Sequence, residues 1–193
     1  MYDFDDKVTA YWLQSGIGPR EAAAKLQPAC DGTPLSEEKL CELEDQWREK
    51  RNANNIFGAI LCRPWNRLRG FDLEDVSSPA DHAHVVRALA EATGNRFTVD
   101  DVAQTTEPND DVKLTFTHNG KSYSFAFENH GTWCNIKGVL QGLNRILAQV
   151  GLGERFVELD VGSDVGSIVA FVRPTEFQIA ARELGVPVQP LQS

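Results

Sequence analysis

Between Lys113 and Glu128 the apolar residues alternate one by one, and the pattern reverses about Asn119-Gly120. Leu114 and Phe116 share one face of a strand over residues 113–118, and Tyr123, Phe125 and Phe127 share one face of a second over 122–128. Asn-Gly is favoured where two turn residues both need positive φ, so the segment predicts a tight β-hairpin. Any fold for this chain has to accommodate that hairpin.

Around it the apolar period is helical. Asn135 to Val150 carries Ile136, Val139, Leu140, Leu143, Ile146, Leu147 and Val150 on one side and stops at Gly151. Upstream, Ser78-Pro79-Ala80-Asp81 reads as an N-cap serine with proline at the first helical position, and Val85, Val86 and Leu89 form the inner face before Gly94. Phe97-Thr98-Val99 reads as a short strand, Arg155 to Val161 and Ser167 to Val172 as two more, and Pro174-Thr175 opens a last helix. Residues 1–70 are mostly helical, with Pro19 opening one helix and a longer one starting near Ser36 that carries Leu40, Leu43 and Trp47. Arg63 to Asp75 is given no single conformation. The order from Ser78 onward is α-β-β-β-α-β-β-α, which predicts an α+β fold. In it, helices cover one face of an antiparallel sheet of four to five strands. The organisation expected is a helical region over residues 1–76, packed on an α+β domain over 77–193.

Charge divides the chain unevenly. Of 28 acidic and 19 basic residues in 193, 21 acids and 12 bases precede Val112, and seven of each follow, so the whole net charge of −9 lies in the first part. A general nucleic-acid binder is disfavoured, because affinity for phosphate needs clustered positive charge. Met1-Tyr2-Asp3-Phe4-Asp5-Asp6 has no apolar signal segment, and the longest apolar run, Ile56 to Cys62, is too short to span a bilayer. A cytoplasmic location with reduced thiols is expected, with no membrane partner and no cofactor.

The chemistry-bearing residues form no recognised catalytic signature. His130-Gly-Thr-Trp-Cys134 reads first as a structural cysteine at the start of a core helix, and also admits a cysteine nucleophile at a helix N-terminus with His130 as its base. Asp81-His82-Ala83-His84 resembles a metal fragment, but residues two apart on a helix point about 200° apart, so one ion cannot take both rings there. Asp160 and Asp164 flank a glycine-rich turn that lacks the ligand run of a calcium loop. Arg63-Pro64-Trp65-Asn66-Arg67-Leu68-Arg69 is a basic island with an aromatic, followed at once by Asp72, Glu74 and Asp75, which can pair with it internally. Those three acids recur in kind at Asp100 and Asp101 and at Glu107, Asp110 and Asp111. If the edges that carry them converge, they make a negative surface suited to a basic partner; if not, they are solvated loops.

Leu114-Thr-Phe116, Tyr123-Ser-Phe125-Ala-Phe127, Trp133, Leu143-Asn-Arg-Ile-Leu147, Phe156-Val-Glu-Leu159, Gly162-Ser-Asp164 and Ile168-Val-Ala-Phe171-Val-Arg-Pro174 carry a resemblance. From about Ser78 to Pro174 the layout resembles small bacterial immunity proteins of polymorphic-toxin or type VI secretion systems. The resemblance implies a cytosolic inhibitor that occludes a cognate protein toxin by stoichiometric binding, without catalysis. A basic toxin suits the charge. The contacts expected are the eight acids Asp72, Glu74, Asp75, Asp100, Asp101, Glu107, Asp110 and Asp111, with Trp65 or Trp133 as aromatic anchor. Two other classes stay open: a hydrolase or transferase using His130 and Cys134, and an effector chaperone or adaptor.

Overall fold

A computed structural model describes residues 4–62, 65–74, 79–160 and 166–189, with side chains from Lys7 onward. Arg63, Pro64, Asp75, Ser78 and Asp164 lie outside the described residues. The fold is α+β. Four helices come first: α1 (Phe4–Ser15), α2 (Pro19–Leu26), α3 (Glu37–Lys50) and α4 (Ala53–Leu61). After them come β1 (Leu68–Asp72), α5 (His82–Glu91), β2 (Asp100–Thr106), β3 (Val112–His118), β4 (Lys121–Phe127) and α6 (Ile136–Gln149). The series ends with β5 (Arg155–Leu159), β6 (Gly166–Val172) and α7 (Pro174–Glu183).

The expected helix starts are visible in their caps. Ser36 accepts the Lys39 N–H at 3.3 Å, and Asn135 accepts the Gly138 N–H at 2.9 Å. Each such cap stabilises its helix by about 1 kcal/mol. The α5 cap differs from expectation. Asp81, not Ser78, accepts the first-turn N–H, from His84 at 3.0 Å. The preceding Ala80 is held elsewhere: its N–H donates to the Gly131 carbonyl and its carbonyl accepts from Gln104 Nε2. That tie keeps Ala80 out of the helix.

The strands form two antiparallel three-stranded sheets rather than one larger sheet, ordered β1-β6-β5 and β2-β3-β4. The second contains the expected hairpin, with His118 opposite Lys121 and the turn residues Asn119 and Gly120 at φ 51° and 72°. Its third strand corrects the reading at Phe97–Val99. Phe97 lies in the core, its ring edge-on to Phe116 at 5.9 Å, and the strand begins only at Asp100. The β2 strand is polar and exposed along most of its length, so it carries no alternation to read. Leu68 to Asp72, within the stretch left unassigned, is β1, and it pairs with β6 some hundred residues later.

Two apolar cores result. One gathers α1–α4 and α7 with Val157, Leu159, Ala170 and Val172, so it draws on both sides of residue 77. The other gathers α5, α6, β3 and Phe127 with Phe156, Val169 and Phe171. Successive residues of β5 and β6 therefore enter different cores, because a strand sends alternate side chains to opposite faces. Helix α5 touches β1 and β2, and α6 touches β4 and β5. The helix pair thus lies between the two sheets, giving layers in the order helices, sheet, helices, sheet.

Candidate functional site

Three segments meet at the end of β1. The Cys134 N–H donates to the Leu73 carbonyl at 2.7 Å, and Glu74 and Trp133 form an isolated antiparallel bridge. Ala80 donates to Gly131 at 2.9 Å, and the Asn135 N–H donates to His82 Nε2 at 3.0 Å. These bonds pin the 130–135 turn between β1 and the start of α5. Between them opens a cleft of about 340 Å³ lined by Gly70, Phe71, Asp72, Glu74, Asp81, His84, Val85 and Cys134.

The lining carries three carboxylates and no lysine or arginine among the described residues. Asp72 Oδ1 accepts the Glu74 N–H at 3.2 Å, and Asp81 caps α5, so backbone bonds hold two of the three carboxylates. Trp133, bridged to Glu74, is 40% exposed. Carboxylates beside an exposed indole can receive a guanidinium or ammonium group, through charge-assisted hydrogen bonds and ring-face attraction.

The expected residues separate into those this cleft gathers and those it does not. Asp72, Glu74 and Trp133 come together. The Glu107–Asp111 turn is tied to the same region, since Asn129 Nδ2 donates to Asp110 Oδ1 at 3.3 Å. Within that turn Glu107 pairs with Lys113 at 3.2 Å, and Asp111 Oδ2 accepts from Asn109. Asp100 and Asp101 lie at the opposite end of β2, and a strand of seven residues spans about 20 Å, so they face another part of the surface. Trp65 is occupied internally: its N–H donates to the Ala92 carbonyl at 3.1 Å and the Arg67 guanidinium lies 3.8 Å from its ring centroid.

His130 Nε2 sits 3.5 Å from Glu128 Oε2 and does not line the cleft, whereas Cys134 does. The histidine that shares the cleft with Cys134 is His84, which the sequence placed only in a metal-like fragment. Its neighbour His82 is fully buried, edge-on to Phe127 at 4.9 Å, so the two rings face opposite ways as helix geometry requires. Among the described residues no group of three or more His, Cys, Asp or Glu is arranged to hold a metal ion. The signal for His84 was present in the Asp81 cap, which fixes the first turn of α5.

The buried ionisable groups lie outside the cleft. Burial pushes the Cys30 thiol up to about 11, which keeps it protonated and unreactive. Arg67, fully buried, donates to Asp31 Oδ2 at 3.0 Å. Burial opposes the Asp31 charge, but Thr33 hydrogen bonds and Arg67 outweigh it and hold the carboxyl below its ordinary value. A larger hollow of about 460 Å³ lies in the N-terminal helical layer, lined by Cys30, Leu35 and Lys39 among others. None of the site residues expected from the sequence lines it. No described helix is long and apolar enough to cross a membrane.

Comparison with family models, curated proteins and solved structures finds no significant match to this chain.

Proposed function

We propose that this protein is an immunity-type inhibitor that binds a basic protein toxin and occludes its active site stoichiometrically. The observation that carries the reading is the cleft at the end of β1, where Asp72 and Glu74 lie together with no lysine or arginine lining it among the described residues, beside the exposed Trp133. Its negative field speeds encounter with a cationic partner and disfavours acidic ones. The indole supplies apolar area of the kind that dominates interface energies. This binding requires no catalytic step, and its site is the protein's cytosolic face toward the toxin.

The test is capture of the partner on immobilised protein at low and high salt, followed by assay of the captured protein's activity with and without this chain. Inhibition at one-to-one stoichiometry is expected. The double variant Asp72→Lys, Glu74→Lys should weaken binding by about 100-fold or more, and Trp133→Ala by roughly ten-fold. Unchanged affinity in both variants would overturn the cleft as the contact. Binding without inhibition would replace the inhibitor with a chaperone.

A further inference from the structure

Four strands lie at sheet edges: β1 and β5 in one sheet, β2 and β4 in the other. An edge strand presents unpaired N–H and C=O groups that template another strand, and proteins blunt such edges. Three of the four are blunted here. Along β5, Leu159 bridges to Val188, Asp160 donates to the Pro187 carbonyl and Gln189 donates to the Glu158 carbonyl. At the end of β1 the Glu74–Trp133 bridge and the Cys134 bond to Leu73 cover the backbone, and Arg69 Nη1 takes the Leu68 carbonyl at 2.9 Å. In β2 the register shifts between Asp100 and Ala103, with Asp101 at φ 52°, and Arg87 Nη2 donates to the Val102 carbonyl at 3.0 Å. The described residues place no bulge, bridge or side-chain bond on β4, whose seven residues pair in unbroken register with β3.

The hairpin phase says which β4 groups face outward. In a two-residue hairpin the residues flanking the turn form a hydrogen-bonded pair, and such pairs recur at every second residue. His118–Lys121 is that pair, so Lys121, Tyr123, Phe125 and Phe127 bond to β3. The N–H and C=O of Ser122, Ser124 and Ala126 then point away from the sheet, and all three residues are exposed. Tyr123 and Phe125 are only half-buried on the inner face. In a chain of net charge −9, no acid occurs from Asn119 to Phe127.

We propose that β4 pairs antiparallel with β4 of a second copy about a two-fold axis at Ser124, joining two three-stranded sheets into one of six strands. This register sets Ser124 opposite Ser124 and Ser122 opposite Ala126, so every outward N–H and C=O of the strand finds a partner. Centring the axis on Tyr123 or Phe125 leaves some unpaired. On the inner face Tyr123 meets Phe125 of the other copy, an aromatic cross-strand pair. Lys121 falls opposite Phe127 of the other copy, so no like charges oppose each other along the seam. Two acidic molecules thus approach along the one edge that carries no negative charge.

Sedimentation velocity across the micromolar range tests this with the intact protein. The wild type and Ser124→Ala, which keeps the N–H, should form a dimer whose population rises with concentration. Ser124→Pro removes an outward donor that β3 does not use, so the monomer ladder survives. Ser124→Lys sets two ammonium groups directly opposite each other. Both should weaken dimerisation by about ten-fold or more. Circular dichroism shows whether each variant is folded, and the lysine variant decides alone if the proline variant is not. A wild type that stays monomeric throughout, including one whose β4 takes a foreign strand instead, would overturn the proposal. A dimer indifferent to the lysine substitution would overturn it as well.

Discussion

The two sheets are built from strands of similar length to opposite rules. In the β1-β6-β5 sheet both faces are covered, so Ile168 to Val172 reads as one apolar run, with Val169 to Val172 all at most 1% exposed. In the β2-β3-β4 sheet one face is covered and β3 alternates strictly between buried and half-buried positions. The difference shows that alternation marks a strand only when one of its faces is wet. The doubly covered sheet holds the two apolar cores together, and the other presents an outer face of Thr, Ser and Ala with Lys113 to water.

That contrast is broken most sharply by placing one charge in each sheet. Ala170→Asp puts a carboxylate on a fully buried face and should prevent folding, whereas Ala126→Asp on the exposed face should shift stability by no more than about 0.5 kcal/mol. Urea titration of the two variants reads the gap. Comparable effects would show that the sheets are not differently covered.

A smaller effect is expected where α6 lies against the second sheet. A Cβ on Gly142 would collide with the Phe125 ring, so Gly142→Val should destabilise by about 2 kcal/mol through overpacking. The same change at Gly153, which has open space around it, should destabilise far less. Thermal melts of the pair sharpen how tightly the helix layer and the second sheet are fitted.

The smallest effect concerns the ion pair beside β1. Asp31→Asn should lower stability by roughly 1–2 kcal/mol at neutral pH, since it weakens a charge-assisted bond to a buried guanidinium. The folded Asp31 carboxyl is held below its unfolded value of 3.8, so its contribution is present above that pH and is lost as pH falls through the lower folded value. Denaturant melts of wild type and variant should therefore converge in acid. A gap that persists unchanged in acid would mean that the carboxylate charge is not what Asp31 contributes.

The legible parts of the fold were those whose signal is local. Asn119-Gly120 with alternating flanks, the helix starts near Ser36 and Asn135, and the elements from β3 to α7 could all be read from neighbours in the chain. Strand β1 could not. Leu68-Arg-Gly-Phe-Asp72 has little apolar character, and it is a strand because β6, far away in sequence, offers it an edge. Strand β2 failed for a related reason: both its faces are largely wet, so nothing alternates. For the site, residue types pointed to Asp72, Glu74 and Trp133, but which acids would meet depended on the bond from Cys134 to Leu73 across some sixty residues. Asp100 and Asp101 looked equivalent to them and end up at the far end of β2. His84 was hidden because a histidine pair on a helix suggested a metal before it suggested a cleft wall.

The pairing of β1 with β6 also sets an order in time. Helices α1 to α4 leave the ribosome early, yet their core is completed by Val157, Leu159, Ala170, Val172 and α7. The hairpin and its neighbours can close over short loops, whereas β1 must wait through nearly a hundred residues of synthesis for the strand it pairs with. During that interval the apolar faces of the first helices stand open to solvent. The nascent chain is therefore most vulnerable to aggregation and proteolysis in this helical layer.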